Sequence, residues 1–334
     1  MIQLPKSFQY RKFMININKP IRPKNPVLIA TWPGMGSVAL KAGGYLREKL
    51  GALKFAEIEP KDYFFPLEAT IEGSIIKTAD LPKGEFYHWQ NKSGKGDLII
   101  FVSEAQPSPE KSQNYIKHIL DLCEDLRIKT VYTFAAMPVP IDHFQPSGVW
   151  VTATNKKLLD ELKQFEAKPM ESGQISGLNG LFLSAAKERK LQGACLLGEI
   201  PLYTIQIENP KASLAVLELL SKSLNIQLDY SDLVNAGKTM EEEIEKLIDY
   251  LKHPFEEGPK PISEEEIDRI KKTLEAQSRL PDSIKKKIEE LFEKAQKDIG
   301  KASELKNELD TWNVYKEFED RFLDLFRKQQ KKDN

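Results

Sequence analysis

The sequence predicts an α/β fold, a mixed and largely parallel sheet flanked by helices and followed by a charged C-terminal helical appendage. Between residues 27 and 224, short apolar β-branched runs alternate with amphipathic stretches. Repeated strand-then-helix units imply parallel strands with helices on both faces. Charge density then changes sharply. Residues 1–230 carry 52 charged side chains, whereas residues 231–334 carry 47 in 104 positions, the composition of exposed helices. Finally, 334 residues at 40% hydrophobic content can enclose a sizeable core. The shift in charge divides the chain into an expected α/β domain, 1–235, and a helical appendage, 236–334.

In chain order, the apolar run 27–32 is the first strand, closed by Pro33, and 37–50 the first helix. Residues 53–89 break the alternation. Strand-like pieces at 55–58, 70–77 and 84–89, separated by polar turns, predict antiparallel strands at the sheet edge. The alternation resumes with strand 97–103, helix 109–126, strand 130–136, a proline-marked turn at 137–140, and strand 148–154. Helices 156–165 and 178–190, strand 193–198 and helix 210–224 follow.

In the charged region, Thr239 with Glu242 and Ser263 with Glu266 fit the capping box, in which a hydroxyl and a carboxylate satisfy orphan amides at a helix start. Pro254, Pro259 and Pro261 separate these two helices. Ile284, Ile288, Leu291, Phe292, Ala295, Ile299, Ala302, Leu305 and Leu309 then recur at helical spacing, and Trp312, Tyr315, Phe318, Phe322 and Phe326 form a second stripe. The stripes either pack on each other and on the sheet, or hold a partner protein or a second copy. For the second case, Ile288, Leu291, Leu305, Trp312, Tyr315, Phe322 and Phe326 are the candidate contacts.

Composition excludes several function classes. With 49 basic against 50 acidic residues, the net charge of −1 leaves no electrostatic footprint for nucleic acid. No run approaches the 18 or so apolar residues that cross a bilayer, and the start lacks the apolar core of a secretion signal. A cytoplasmic setting with no membrane contact is expected. Cys123 and Cys195 lack CxxC spacing and are expected as buried thiols. His88, His118, His143 and His253 are scattered, so no metal site is predicted.

The strongest local signal is Gly34, Met35, Gly36, Ser37, Val38 and Ala39, a G-x-G-x-x-A match between the first strand and first helix. Three readings stay open. Such glycines can admit a dinucleotide pyrophosphate, with Glu57 or Glu59 on the ribose; they can hold a phosphate or another small anion at the helix start; or they can serve only tight strand-to-helix packing. A second cluster, residues 173–180, opens another helix with Gly173, Ser176, Gly177 and Gly180. If both loops leave neighbouring parallel strands they line one cleft, with Glu104 at the same sheet edge as a ribose ligand, a base or a backbone cap. The candidate ligand-binding set is therefore Gly34, Met35, Gly36, Ser37, Glu104, Gly173, Ser176 and Gly177. Neither a Walker A sequence nor a G-x-S-x-G elbow is present. No base can be paired with Ser37, Ser172 or Ser176, no catalytic residue is named, and no cofactor is predicted.

Taken together, the strand with residues 32–39, the loop 173–180, the strand end at Leu197, Gly198 and Glu199, and the tail from Leu280, Pro281 and Asp282 to residues 320–326 resemble the proteasome assembly chaperone 2 family of archaea and bacteria. The resemblance covers most of the chain. It implies a nucleoside phosphorylase-like α/β sandwich, self-association into small homo-oligomers, and a chaperone-like assembly role through protein contacts. Proteasome α-rings are the partner of some relatives; others have been described as ATP-grasp ligases. Two departures stand out. The chain ends Lys331, Lys332, Asp333, Asn334 rather than in the hydrophobic-Tyr-any residue tail that enters α-ring pockets, and no ATP-grasp lysine with a Glu-x-Asn magnesium pair can be found. The alternative to an assembly factor is an enzyme or sensor that binds a phosphate-bearing or nucleoside-like molecule at the glycine loops.

Overall fold

The computed structural model describes residues 14–65, 69–78, 80–93, 96–252, 282–311 and 315–330. The strands are β1 (Ile15–Ile17), β2 (Val27–Thr31), β3 (Leu53–Ile58), β4 (Ala69–Glu72), β5 (Ile75–Thr78), β6 (Gly84–Trp89), β7 (Leu98–Ser103), β8 (Thr130–Val139), β9 (Val149–Ala153), β10 (Lys168–Pro169) and β11 (Gln192–Pro201). The helices are α1 (Val38–Lys49), α2 (Pro109–Asp125), α3 (Lys156–Lys163), α4 (Leu178–Glu188), α5 (Pro210–Leu224), α6 (Ser231–Lys252), α7 (Asp282–Lys297), α8 (Ala302–Thr311) and α9 (Tyr315–Gln330).

Nine strands form one sheet in the order β1-β3-β6-β7-β2-β8-β11-β9-β10. Its centre, β7-β2-β8-β11, is parallel, while β1, β3 and β6 add antiparallel neighbours on one side. On the other side β9 runs antiparallel to β11. It follows β8 without an intervening helix, and a strand reached that way must reverse direction.

Side-chain alternation divides the core in two. Ile29, Ile100, Tyr132 and Leu196 face α1, α3 and α5, whereas Leu28, Ala30, Phe101, Val131 and Cys195 face α2 and α4. Cys123 and Cys195 are free and buried, and burial pushes the Cys195 thiol up to about 12.

The two adjacent glycines inside α1, an anomaly for a helix interior, have separate explanations. A Cβ at Gly43 would lie 2.8 Å from Thr31 Cγ2 and closer still to its hydroxyl, which donates to the Phe101 carbonyl at 3.1 Å. Gly43 thus sets how near α1 comes to β2. Nothing lies within 4 Å of a Cβ at Gly44. Urea denaturation of the two alanine variants should give opposite signs: Gly43→Ala lowers stability by about 1–3 kcal/mol through overpacking, and Gly44→Ala raises it by about 0.5–1 kcal/mol through helix propensity.

Three expectations are corrected. Residues 70–77 are not one edge strand but the hairpin β4–β5, turned at Gly73 and Ser74 and paired with no strand of the main sheet among the described residues. Residues Met137 to Val139 continue β8 as far as its pairing with β11 extends, instead of forming a turn. Thr239 does not begin a helix. It lies inside α6, whose packing through the buried Leu233, Met240 and Ile244 starts the helix at Ser231.

Of the two readings of the apolar stripes, packing on each other is the one observed. Ile288, Leu291, Leu305 and Phe322 are buried against one another, with Tyr315 and Phe318 packed at the margin. The stripe is therefore inside a bundle of α7, α8 and α9 rather than on its surface, because three amphipathic helices in sequence can cover each other's apolar faces. Leu202, just after β11, packs against the same cluster and joins the bundle to the α/β body. Phe326 lies on α9, and its side chain, like Trp312, Ser263, Glu266 and the tail 331–334, lies outside what is described.

Candidate functional site

The parallel strands β7, β2, β8 and β11 end on one edge of the sheet, where open α/β sheets place ligands. The loop after β2 turns into α1 through Gly36 at φ +59° and Ser37 at φ +50°. A glycine meets the first of these left-handed positions without strain.

Three amides of this loop are occupied. Gly36 N–H donates to the Ile205 carbonyl at 2.7 Å, Ser37 N–H to Gly34 at 3.0 Å, and Val38 N–H to Met35. The Gly36 carbonyl in turn accepts from Asn209 N–H at 2.8 Å, so the loop is stitched to the segment after β11. An anion at a helix start needs N–H groups that point outward, and these three point into the protein. Glu57, the expected ribose partner, sits on β3 with β6 and β7 between it and β2, and pairs with Lys54. Glu59 accepts a hydrogen bond from Asn16. The strand order thus separates both carboxylates from the first glycine loop.

The two glycine loops do meet, through side chains that sequence reasoning missed. Gln106 Nε2 donates to the Pro33 carbonyl at 2.6 Å, and its Oε1 accepts from Leu178 N–H at 3.0 Å. Asn179, buried in the first turn of α4, accepts from Trp32 N–H through Oδ1 and donates to the Trp32 carbonyl through Nδ2, both at 3.3 Å. Its own carbonyl accepts from Thr133 Oγ1 at 2.8 Å. Only its position between two helix-start glycines singled Asn179 out in the sequence; nothing singled out Gln106.

The other candidates are distributed as follows. Gly34 and Met35 are exposed, and Ser37 is half-buried. Glu104 points toward β6, its Oε2 accepting from Lys83 N–H at 2.9 Å while its own N–H donates to the Lys83 carbonyl. This is the backbone-capping reading, with Lys83 in place of a helix amide. Ser176 is exposed, and neither its hydroxyl nor that of Ser37 has a hydrogen-bond partner among the described residues. Gly173 borders a different feature, an open groove of about 340 Å³ between the end of β9, the segment after β10 and α4.

Two buried polar clusters lie near the same edge. Glu199, on β11, accepts from Gly148 N–H (3.0 Å), Trp150 Nε1 (2.7 Å) and Lys168 Nζ (2.8 Å). Burial alone would raise its carboxyl, but these bonds outweigh it and hold the group below its ordinary range. His143, in the loop after β8, is buried with its Nδ1 at 2.8 Å from Tyr203 Oη and its Nε2 at 3.3 Å from Glu245 on α6. Lys211 donates to the His143 carbonyl and pairs with Glu241, tying α6 to this edge a second time. Among the described residues no group of three His, Cys, Asp or Glu side chains is placed to hold a metal ion, and no helix is long and apolar enough to cross a membrane.

The edge presents four large apolar or aromatic side chains to solvent, beside the exposed Asp142, Gln145, Gln206 and Glu208. Met35, Phe144, Tyr203 and Ile207, from the loops after β2, β8 and β11, are 40, 57, 39 and 38% exposed.

Comparison with known proteins gives the family and the fold. The PAC2 family model matches residues 28–248, from β2 nearly to the end of α6. An uncharacterized protein of Methanocaldococcus jannaschii is 29% identical over 255 residues, covering 75% of this chain and 95% of its own. The crystal structure of Pyrococcus furiosus PbaB, described as an archaeal proteasome activator, is similar with a TM-score of 0.61 at 27% identity, over 70% of this chain and 97% of that one. PbaA of the same organism, described as an archaeal homolog of proteasome-assembly chaperone, has a TM-score of 0.56 at 22% identity, over 72% and 94% of the two chains; at that identity the likeness is one of fold. The family match stops before α7, so the helical bundle lies beyond it.

Proposed function

This chain belongs to the PAC2 family, and from that premise we propose that it is a non-enzymatic assembly factor that acts through protein contacts, associates with itself into a small homo-oligomer, and takes proteasome α-type subunits as its partner in the cytoplasm. The observation that carries the reading is the sheet edge. The Gly36, Ser37 and Val38 amides of its first glycine loop are bonded within the protein while Met35, Phe144, Tyr203 and Ile207 face solvent. The description of PbaB as a proteasome activator supports the choice of partner.

The His143–Tyr203 contact and the Gly36–Ile205 bond hold these loops in place before a partner arrives, which lowers the ordering cost of association. The test is binding to α-type subunits from the same source, followed by native mass spectrometry. Wild type should form a complex with free subunits or α-rings. Met35→Asp and Phe144→Asp should each weaken it at least tenfold, since a charge in a desolvated contact costs more than about 1.4 kcal/mol. Absence of any complex would sink the choice of partner; a complex indifferent to both substitutions would sink the sheet edge as its surface.

A further inference from the structure

The groove bordered by Gly173 opens where the last strand of the sheet turns away from its neighbour. β10 pairs with β9 only at Trp150 and Val151, and the pairing ends with Met170 N–H donating to the Val151 carbonyl at 2.9 Å. Backbone groups of alternate residues along a strand point the same way, so the N–H and carbonyl of Ala153 face the same side as those of Val151. Thr154, one residue on, faces the other way and donates to the Gly193 carbonyl at 2.8 Å. Neither backbone group of Ala153 is bonded among the described residues. Its methyl packs on the core shared with α1, α3 and α5, so what this residue offers to the groove is main chain.

Across the groove from this strand edge stands α4. Met170, Ile175 and the buried Leu183 form an apolar wall between them. A Cβ at Gly173 would strike Met170, and one at Gly180 would strike the Ile175 carbonyl, so both glycines are needed for the wall to lie where it does. Glu171, on the segment after β10, and Lys187, on α4, bring opposite charges to the two sides, and neither is in an ion pair among the described residues. An unpaired strand edge facing a helix across apolar side chains is the geometry in which an added strand gains main-chain bonds and seats one side chain in a pocket. At about 340 Å³ the groove is at the small end of the roughly 300–1,000 Å³ of ligand sites, room for the end of a chain rather than for a long segment.

We propose that this groove binds the C-terminal end of a partner protein as a short added strand. The main chain of the tail pairs with Ala153, and an aliphatic side chain lies against Met170, Ile175 and Leu183. The terminal carboxylate meets Lys187, and a basic residue further back meets Glu171. Charge complementarity selects this occupant, because a neutral internal segment answers neither charge and a chain end carrying a basic residue answers both. The site is near the start of β11, where Ala153 pairs with Ala194. It is therefore at the opposite edge of the sheet from Met35, Phe144, Tyr203 and Ile207 and does not rest on the reading of that edge.

The test is fluorescence anisotropy with N-terminally labelled peptides that end, as free acids, in Lys-Val-Leu, Lys-Val-Ile or Lys-Val-Phe. At least one should bind saturably with a Kd below about 1 mM. Amidation of its C-terminus, Lys187→Glu, and Ser184→Trp on the exposed face of α4 that lines the groove should each raise Kd by roughly tenfold or more. Ala153→Pro removes only an N–H that has no partner in the sheet, a place where an edge strand accepts proline, and should weaken binding as well; circular dichroism checks that each variant is folded. The decisive arm exchanges charge: Glu171→Lys should lose affinity for the peptide ending in Lys-Val-Leu and gain it for one ending in Glu-Val-Leu. No saturable binding of any free-acid peptide, or binding indifferent to amidation and to Lys187→Glu, overturns the proposal. Binding that ignores both Ser184→Trp and Ala153→Pro puts the peptide outside the groove and overturns it equally.

Discussion

Replacing Glu199 with alanine is expected to lower the unfolding free energy by about 3–5 kcal/mol, the range for removing one member of a buried charged cluster. The carboxylate is 6% exposed and serves three donors from three places: Gly148 in the loop, Trp150 on β9 and Lys168 on β10. Lys168 is half-exposed, so its charge is screened and contributes the smaller part. The larger loss comes from Gly148 N–H and Trp150 Nε1, left near the sheet without their acceptor. Chemical denaturation of the purified variant measures the effect, and a change below about 1 kcal/mol would show that water replaces the carboxylate.

The same residue sets a pH dependence. Its carboxyl is held below its ordinary value in the folded chain, so its contribution is complete above the unfolded value of about 4.3 and is lost as pH falls through the lower folded value. The stability gap between wild type and Glu199→Gln should therefore be constant near neutrality and shrink in acid. A gap that widened in acid would contradict the assigned direction.

Asn179→Leu is expected to cost about 2–5 kcal/mol. Leucine nearly conserves the volume but leaves both Trp32 N–H and Trp32 C=O without a partner in a buried site, and each orphaned group costs about 1–3 kcal/mol. Asn179→Asp separates the two: it retains an acceptor for Trp32 N–H and removes the donor to Trp32 C=O, so its cost should be intermediate at neutral pH only to the extent that a buried carboxylate is tolerated. Trp32 is fully buried against Phe101 and Phe182, and in a background with Trp89, Trp150 and Trp312 replaced by phenylalanine its fluorescence reports the change. An emission maximum that stays put in Asn179→Leu, with unchanged stability, would mean that the loop holds its place without this side chain.

The stripes 284–309 and 312–326 illustrate how far pattern reading reaches. Among the described side chains, periodicity identified the apolar faces, but a face that packs on a neighbouring helix and a face that waits for a partner have the same periodicity. The reverse holds for Ile71, Ile75 and Ile76, which read as an ordinary edge strand and stand exposed on a separate hairpin. In the glycine loops, the motif located the left-handed turn at Gly36, while the destination of its amide depended on Ile205, far along the chain.

The sequence by itself determined the alternation of strands and helices, the parallel centre of the sheet and the helical C-terminal region, because hydrophobic period, proline and glycine act on neighbours within a few residues. Only the tertiary structure decided that Gln106 bridges two loops 73 and 72 residues away, that Asn179 holds a backbone 147 residues distant, and that Glu199 gathers donors from three segments. Those pairings follow from strand order, which places β2 between β7 and β8 and β11 beside β9. Strand order minimises the free energy of the whole sheet at once, and no local window of sequence contains it.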